Sequence, residues 1–145
     1  MSTGRIRRLL LIEDDADVRR SIAETLTEAG HEVVEAENGK HALELLNQAS
    51  TVPDVVLLDL LMPEMSGWQF RSALKADVRF AAIPVIVMTA ERSRAAATLD
   101  ADFHVHKPFA AADMLSTLEK AFQLRDGREI AAQAASSAPD KPHHD

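Results

Sequence analysis

An α/β fold, doubly wound around a parallel sheet, is what this sequence predicts, on three observations. The stretch Pro53 to Pro63 contains Val55-Val56-Leu57-Leu58, an unbroken apolar run in which both valines are β-branched, the pattern of a strand buried on both faces. Strand-like and helix-like stretches alternate along the chain, as successive βα units joined by crossovers do. Polar side chains able to do chemistry stand at the carboxyl ends of several strands, where open α/β sheets build their sites.

Taken in order, Ile6 to Ile12 reads as the first strand, ending on Glu13 and Asp14. Ala16 to Ala29 then places Val18, Ile22, Leu26 and Ala29 on one helical face, and Gly30 supplies the stop. His31 to Ala36, with Val33-Val34, is the second strand. Asn38 is a helix cap, and Ala42, Leu45, Leu46 and Ala49 form the inward face of the helix that follows. After the central strand, Val55 to Asp59, a turn at Glu64-Met65-Ser66-Gly67 leads into a short helix, Trp68 to Ala76, carrying Trp68, Phe70, Ala73 and Leu74. Pro84 to Met88 is the fourth strand and ends on Thr89. Glu91 to Leu99 is alanine-rich and predicts a short helix, and Asp102 to His106 a fifth strand ending on Lys107-Pro108. Phe109 to Leu124 is the last helix, with Met114, Leu115, Leu118, Ala121 and Phe122 buried. Residues 1–125 therefore make one domain. Residues 126–145 are expected to be a flexible tail, because Ala131 to Asp145 has no apolar period.

Composition narrows the function classes. A length of 145 residues suits one domain with a sizeable core. With no cysteine, disulfides and thiolate metal sites are excluded. The apolar run after Arg5, Arg7 and Arg8 is too short for a signal peptide and meets Glu13-Asp14-Asp15 at once, and nothing approaches a membrane span. The expectation is a cytoplasmic protein without membrane contact. A net charge of −7 argues against direct nucleic-acid binding, which needs clustered Lys and Arg.

Four strand ends line up: Glu13 with Asp14, then Asp59, Thr89 and Lys107. If the first strand is central and flanked by the third, these side chains converge in one crevice. Like charges at 4 Å repel by about 4 kcal/mol at an effective dielectric near 20, so a carboxylate cluster calls for a counter-ion. Oxygen ligands without a thiol suit Mg²⁺, with Mn²⁺ also accommodated. A carboxylate beside such a cation, a hydroxyl and a fixed ammonium is what phosphoryl transfer onto an aspartate requires. In that chemistry Asp59 attacks, Lys107 and the metal neutralise developing charge, and Thr89 hydrogen-bonds the acyl phosphate. The bland alternatives are a turn at Asp59 before Pro63, a helix cap at Asp15, an ordinary strand threonine at Thr89 and a surface lysine at Lys107.

These residues carry a family resemblance. Over roughly residues 5 to 124 the chain resembles the receiver domain of two-component response regulators, in Leu11-Ile12-Glu13-Asp14-Asp15, Asp54 to Pro63, Ile83 to Ala90 and Lys107-Pro108-Phe109. The resemblance implies a (βα)5, flavodoxin-like sheet in the order 2-1-3-4-5. It implies that Asp59 accepts phosphate from a histidine kinase or histidine phosphotransfer protein. Asp14 would ligate Mg²⁺ directly, Glu13 mainly through water, and the Leu61 carbonyl and Asp59 would complete the set. Lys107 falls on the family's lysine, with a cis bond to Pro108. Leu61 and Glu91 would flank the path of attacking water and tune the lifetime of the phosphorylated state.

The match departs in places. His104 stands where the family usually has a switching aromatic, and a titrating imidazole is no simple substitute. His104 and His106 share a strand face, but two histidines without a third ligand do not make a zinc site, and the His143-His144 pair adds little. The interval from Thr89 to Lys107 is about one helical turn short, and Asp100 replaces a common glycine, so the fourth helix is expected to be short or irregular. Ser66 replaces a common acidic residue while remaining a good cap.

The reading is a stand-alone receiver that signals through phosphorylation-dependent binding of a downstream protein, as a monomer or weak dimer. It is not an enzyme beyond self-phosphorylation and self-dephosphorylation. The rivals are a phosphorelay shuttle or phosphate sink, an unphosphorylated scaffold, and a Mg²⁺-dependent hydrolase. The last would want an acid/base aspartate where Leu61 stands.

Overall fold

In the computed structural model, which describes residues 6–60, 65–90 and 101–137, five strands pair in parallel in the spatial order 2-1-3-4-5. They are β1 (Arg8–Ile12), β2 (Glu32–Ala36), β3 (Val55–Asp59), β4 (Val85–Thr89) and β5 (Phe103–His106). Four helices connect and cover them among the described residues: α1 (Ala16–Glu28), α2 (Gly39–Gln48), α3 (Gly67–Ala76) and α4 (Ala111–Ser137). The helix expected at Glu91 to Leu99 lies outside the described residues.

The pleat explains why both faces are apolar. Alternate residues of β1, β3 and β4 go to opposite sides. Leu10, Ile12, Val56, Leu58, Val85 and Val87 pack with Ala42 and Leu46 of α2 and Phe70 and Leu74 of α3. Leu9, Leu11, Val55, Leu57, Ile86 and Met88 pack with Ile22, Ala23 and Leu26 of α1 and Met114, Leu118, Ala121 and Phe122 of α4. Every residue of β3 and β4 is buried, whereas β2, at the sheet edge, leaves Glu32, Val34 and Glu35 exposed.

Local signals set the helix starts. The Asp15 carboxylate accepts from the Asp17 and Val18 amides, Asn38 from His41, and Ser66 makes a capping box with Gln69. Gly30, at φ 98°, ends the first helical segment in the left-handed region.

Two expectations need correction. Ala29 and Ala49 are exposed C-caps rather than inward-facing residues, because their helices end just before them. The last helix begins at Ala111, not Phe109, and does not stop at Leu124 but runs to Ser137. The cause is tertiary. The Arg7 guanidinium donates to both Asp126 carboxylate oxygens at 2.8 Å, and Arg128 donates to Asp102 at 2.7 Å and to the Ala82 carbonyl at 3.1 Å. Beyond these anchors, alanine-rich sequence sustains the helix by propensity.

Candidate functional site: an acidic crevice at the carboxyl edge of the sheet

Register brings the strand ends together. Ile12 pairs with Leu58, so the next residues, Glu13 and Asp59, lie side by side, and Asp59 pairs with Met88, one residue before Thr89. The Lys107 amide donates to the Thr89 carbonyl at 2.9 Å, which holds the lysine beside β4. The Lys107–Pro108 bond is cis, as the resemblance implied.

Within this crevice, one carboxylate oxygen from each of Glu13, Asp14 and Asp59 lies within 4.8 Å of the others. Glu13, Asp59 and Thr89 are buried, while Asp14 is exposed to solvent. Lys107 Nζ is 2.5 Å from Glu13 Oε1 and 3.8 Å from Asp59 Oδ2. The ammonium thus leans on Glu13, a preference that the strand-end alignment did not anticipate. Among the described residues, one nearby lysine faces three carboxylates. The Asp59 carboxyl is accordingly pushed up to about 7, first by burial and then by the Glu13 charge, with Lys107 opposing. A donor set of three clustered carboxylates, one of them open to solvent, fits a hard divalent cation such as Mg²⁺.

The turn between β1 and α1 is held at many points. Glu13 N–H donates to the Ala36 carbonyl at 3.1 Å, and Glu13 Oε2 accepts from the Asp15 amide at 3.2 Å. Arg19 donates through Nη1 to the Glu13 carbonyl at 2.9 Å and through Nε to Glu35 at 3.2 Å. Asp15 serves as the cap of α1, in keeping with its bland reading. On the other side, Gly67 N–H donates to the Leu60 carbonyl at 2.9 Å. A Cβ at Gly67 would lie 3.0 Å from the Leu60 Cα and carbonyl oxygen, so only glycine lets α3 approach β3 this closely.

Of the residues expected at the site, Glu13, Asp14, Asp59 and Lys107 meet in this crevice, and buried Thr89 adjoins it through its carbonyl, which accepts from Lys107 N–H. Leu61 and Glu91 lie outside the described residues, as do His143 and His144. His104 and His106 are exposed on β5, and neither belongs to the clustered ligand set found among the described residues. Arg19 and Gly67 were missed. A capped helix gives no local sign that its fourth residue reaches back to a carbonyl, and a turn glycine gives none that backbone lies above it.

The sequence matches the response regulator receiver domain family over residues 9–119. The chain belongs to that family. Chemotaxis protein CheY1 of Helicobacter pylori is 35% identical over 124 residues, covering 82% of this chain and 99% of that protein. The phosphate regulon regulatory protein PhoB of Klebsiella pneumoniae is 35% identical over 118 residues, 78% of this chain, but the receiver spans only 50% of PhoB. Among solved structures, chemotaxis protein CheY4 of Vibrio cholerae superposes with a TM-score of 0.74 at 28% identity, over 81% of this chain and 99% of that one. A CheY-like receiver from Methanospirillum hungatei reaches 0.78 at 20% identity, over 86% and 99%, which speaks to the fold alone. Among the described residues no helix of the receiver is long and apolar enough to cross a membrane.

Proposed function

We propose that this receiver accepts a phosphoryl group on Asp59 from a histidine kinase or histidine phosphotransfer protein. The reaction needs Mg²⁺, and the product changes affinity for a downstream protein. The observation that carries this reading is the cluster of Asp59 with Glu13 and Asp14, each offering an oxygen within 4.8 Å, beside Lys107 at 3.8 Å.

In this reaction an Asp59 oxygen attacks the phosphorus of a phosphohistidine. A phosphorus–oxygen bond forms, the phosphorus–nitrogen bond breaks, and its electron pair leaves on the donor imidazole. Asp14 and Asp59 would hold the cation, Glu13 mainly through water, with the Leu61 carbonyl a further candidate ligand, and Mg²⁺ would supply counter-charge to the phosphoryl oxygens. Lys107 exchanges part of its contact with Glu13 for the incoming phosphoryl group, and the Thr89 hydroxyl donates to it. The modification adds about −1.5 to −2 charge and three strong acceptor oxygens at neutral pH. Drawing Thr89 toward that group biases the surface beyond β4 and β5 between two states, and the partner reads the difference.

The test is intact mass after incubation with a small acyl-phosphate or phosphoramidate donor, with and without Mg²⁺, on wild type and Asp59→Asn. One added phosphoryl group that needs both Mg²⁺ and Asp59 is the expected result. No addition, under conditions that label another receiver, overturns the proposal.

A further inference from the structure

Arg19, on the first turns of α1, touches neither Asp59 nor Lys107, yet its guanidinium ends at the backbone of the acidic pair. Its Nη1 donates to the Glu13 carbonyl at 2.9 Å, and its Nε to Glu35 Oε1, at the edge of β2, at 3.2 Å. The Arg19 side chain is 18% exposed and its bond to the Glu13 carbonyl is sheltered, while the Glu35 carboxylate that orients it is 44% exposed and screened by solvent. The carbonyl of Glu13 and the amide N–H of Asp14 belong to one planar peptide unit. Fixing that carbonyl therefore fixes the plane from which Asp14 projects. The preceding peptide is fixed independently, by Glu13 N–H on the Ala36 carbonyl at 3.1 Å. Asp15 is fixed as the cap of α1. Asp14 is the exposed member of the acidic trio and the one that no burial holds in place. Its carboxylate, which also hydrogen-bonds with Asp59, projects from a peptide that Arg19 holds.

We infer that Arg19, oriented by Glu35, is a positioning residue for the divalent-cation site: it keeps the Asp14 carboxylate gathered with those of Glu13 and Asp59. Without the guanidinium, the 13–14 peptide is free to rotate and Asp14 is free to relax away from two like charges. The cluster then opens, and the cation meets a site that must be reassembled on binding. Outer contacts that orient metal ligands typically carry about 10–100-fold in affinity. The inference rests on the reading of the trio as a cation site, and one part of its test does not.

The experiment uses the full chain as wild type, Arg19→Gln, Arg19→Lys and Glu35→Gln. Mn²⁺ and Mg²⁺ affinities are measured by calorimetric titration, and amide hydrogen exchange at Asp14 and Asp15 is followed in metal-free protein. Arg19→Gln is expected to weaken Mn²⁺ binding about ten-fold and to speed exchange at those amides, with β3 and β4 still fully protected. Arg19→Lys, which restores a cation but not the fork, is expected to recover part of the affinity, and Glu35→Gln to lose less than Arg19→Gln. Wild-type affinity and unchanged exchange in Arg19→Gln overturn the inference, as does loss of protection spread evenly over the sheet. Should wild type bind neither cation, the cation-site reading fails, while the exchange at Asp14 still decides whether Arg19 holds that peptide.

Discussion

Asp59 carries a cost in the metal-free protein that its position explains. Its carboxyl titrates near 7 in the folded chain against 3.8 in the unfolded one, because it is buried beside Glu13. Between these values the unfolded chain holds fewer protons on this group, so its contribution to stability is present below pH 4 and lost as pH rises through 7. In Mg²⁺-free buffer at pH 8, Asp59→Asn is therefore expected to melt several degrees above wild type, with the gap closing towards pH 4. Adding Mg²⁺ is expected to stabilise wild type more than the variant, by about 2.7 kcal/mol at 100 times the dissociation constant. Thermal melts across pH check both parts, and equal melting temperatures throughout would refute the crowding of charge at this site. Gly67 makes the opposite kind of contribution. Gly67→Ala sets a Cβ 3.0 Å from the Leu60 backbone and 3.2 Å from the Asp59 carbonyl, so backbone must shift. A loss of about 1–3 kcal/mol is expected in denaturant unfolding, together with slower phosphorylation of Asp59.

At the scale of elements, α4 is a core helix and then a brace. Met114, Leu118, Ala121 and Phe122 are buried against the sheet, and the turns after them are tied down by Asp126 and Arg128. Arg7 is 8% exposed, lies 4.7 Å from the Phe122 ring centroid and meets Asp126 with both Nη1 and Nη2, so removing the carboxylate leaves a buried cation without that partner. Asp126→Ala is expected to cost about 1–3 kcal/mol and to speed hydrogen exchange after residue 125, with the acidic crevice unaffected. His31 joins this corner: its Nδ1 accepts from Arg7 N–H at 3.4 Å, and its ring meets Phe122 edge-on. Burial, with Arg7 adding to it, lowers the His31 pKa below its ordinary 6.5, against the opposing pull of Glu119 and Asp54. The unfolded chain then binds the proton more readily, so stability falls as pH drops through about 6.5. His31→Gln is expected to flatten that part of the pH–stability curve, as unfolding at pH 5.5 and 7.5 will show.

For the whole molecule, two apolar layers on a single sheet hold the strand ends that carry Asp59 and Thr89 and from which Glu13, Asp14 and Lys107 follow in the adjoining turns. The buried run of β3 serves both layers, Val56 and Leu58 on one side and Val55 and Leu57 on the other. Leu57→Ala is expected to cost about 2–5 kcal/mol, a loss felt by the whole domain as a lower denaturant midpoint. Because Asp59 ends that strand, the same variant should also weaken Mg²⁺ binding, which calorimetric titration will measure.

Much of this was open to reading in the sequence, for reasons that are local. Unbroken apolar runs and helical periods, caps at Asp15, Asn38 and Ser66, and Gly30 after α1 are written within a few residues, and they set the elements and their order. The strand-end motifs singled out Glu13, Asp14, Asp59, Thr89 and Lys107 because parallel strands bring their carboxyl ends to one edge. What only the tertiary structure decided depends on partners far along the chain. Lys107 leans on Glu13 across 94 residues, Arg7 and Asp126 hold α4 past its expected end across 119, and Arg19 reaches Glu35 on the neighbouring strand. Such contacts have no period and no neighbouring signature, since they exist only once the sheet has set its register. Local chemistry determined the elements and the reactive set, and the register of the sheet determined which charge faces which.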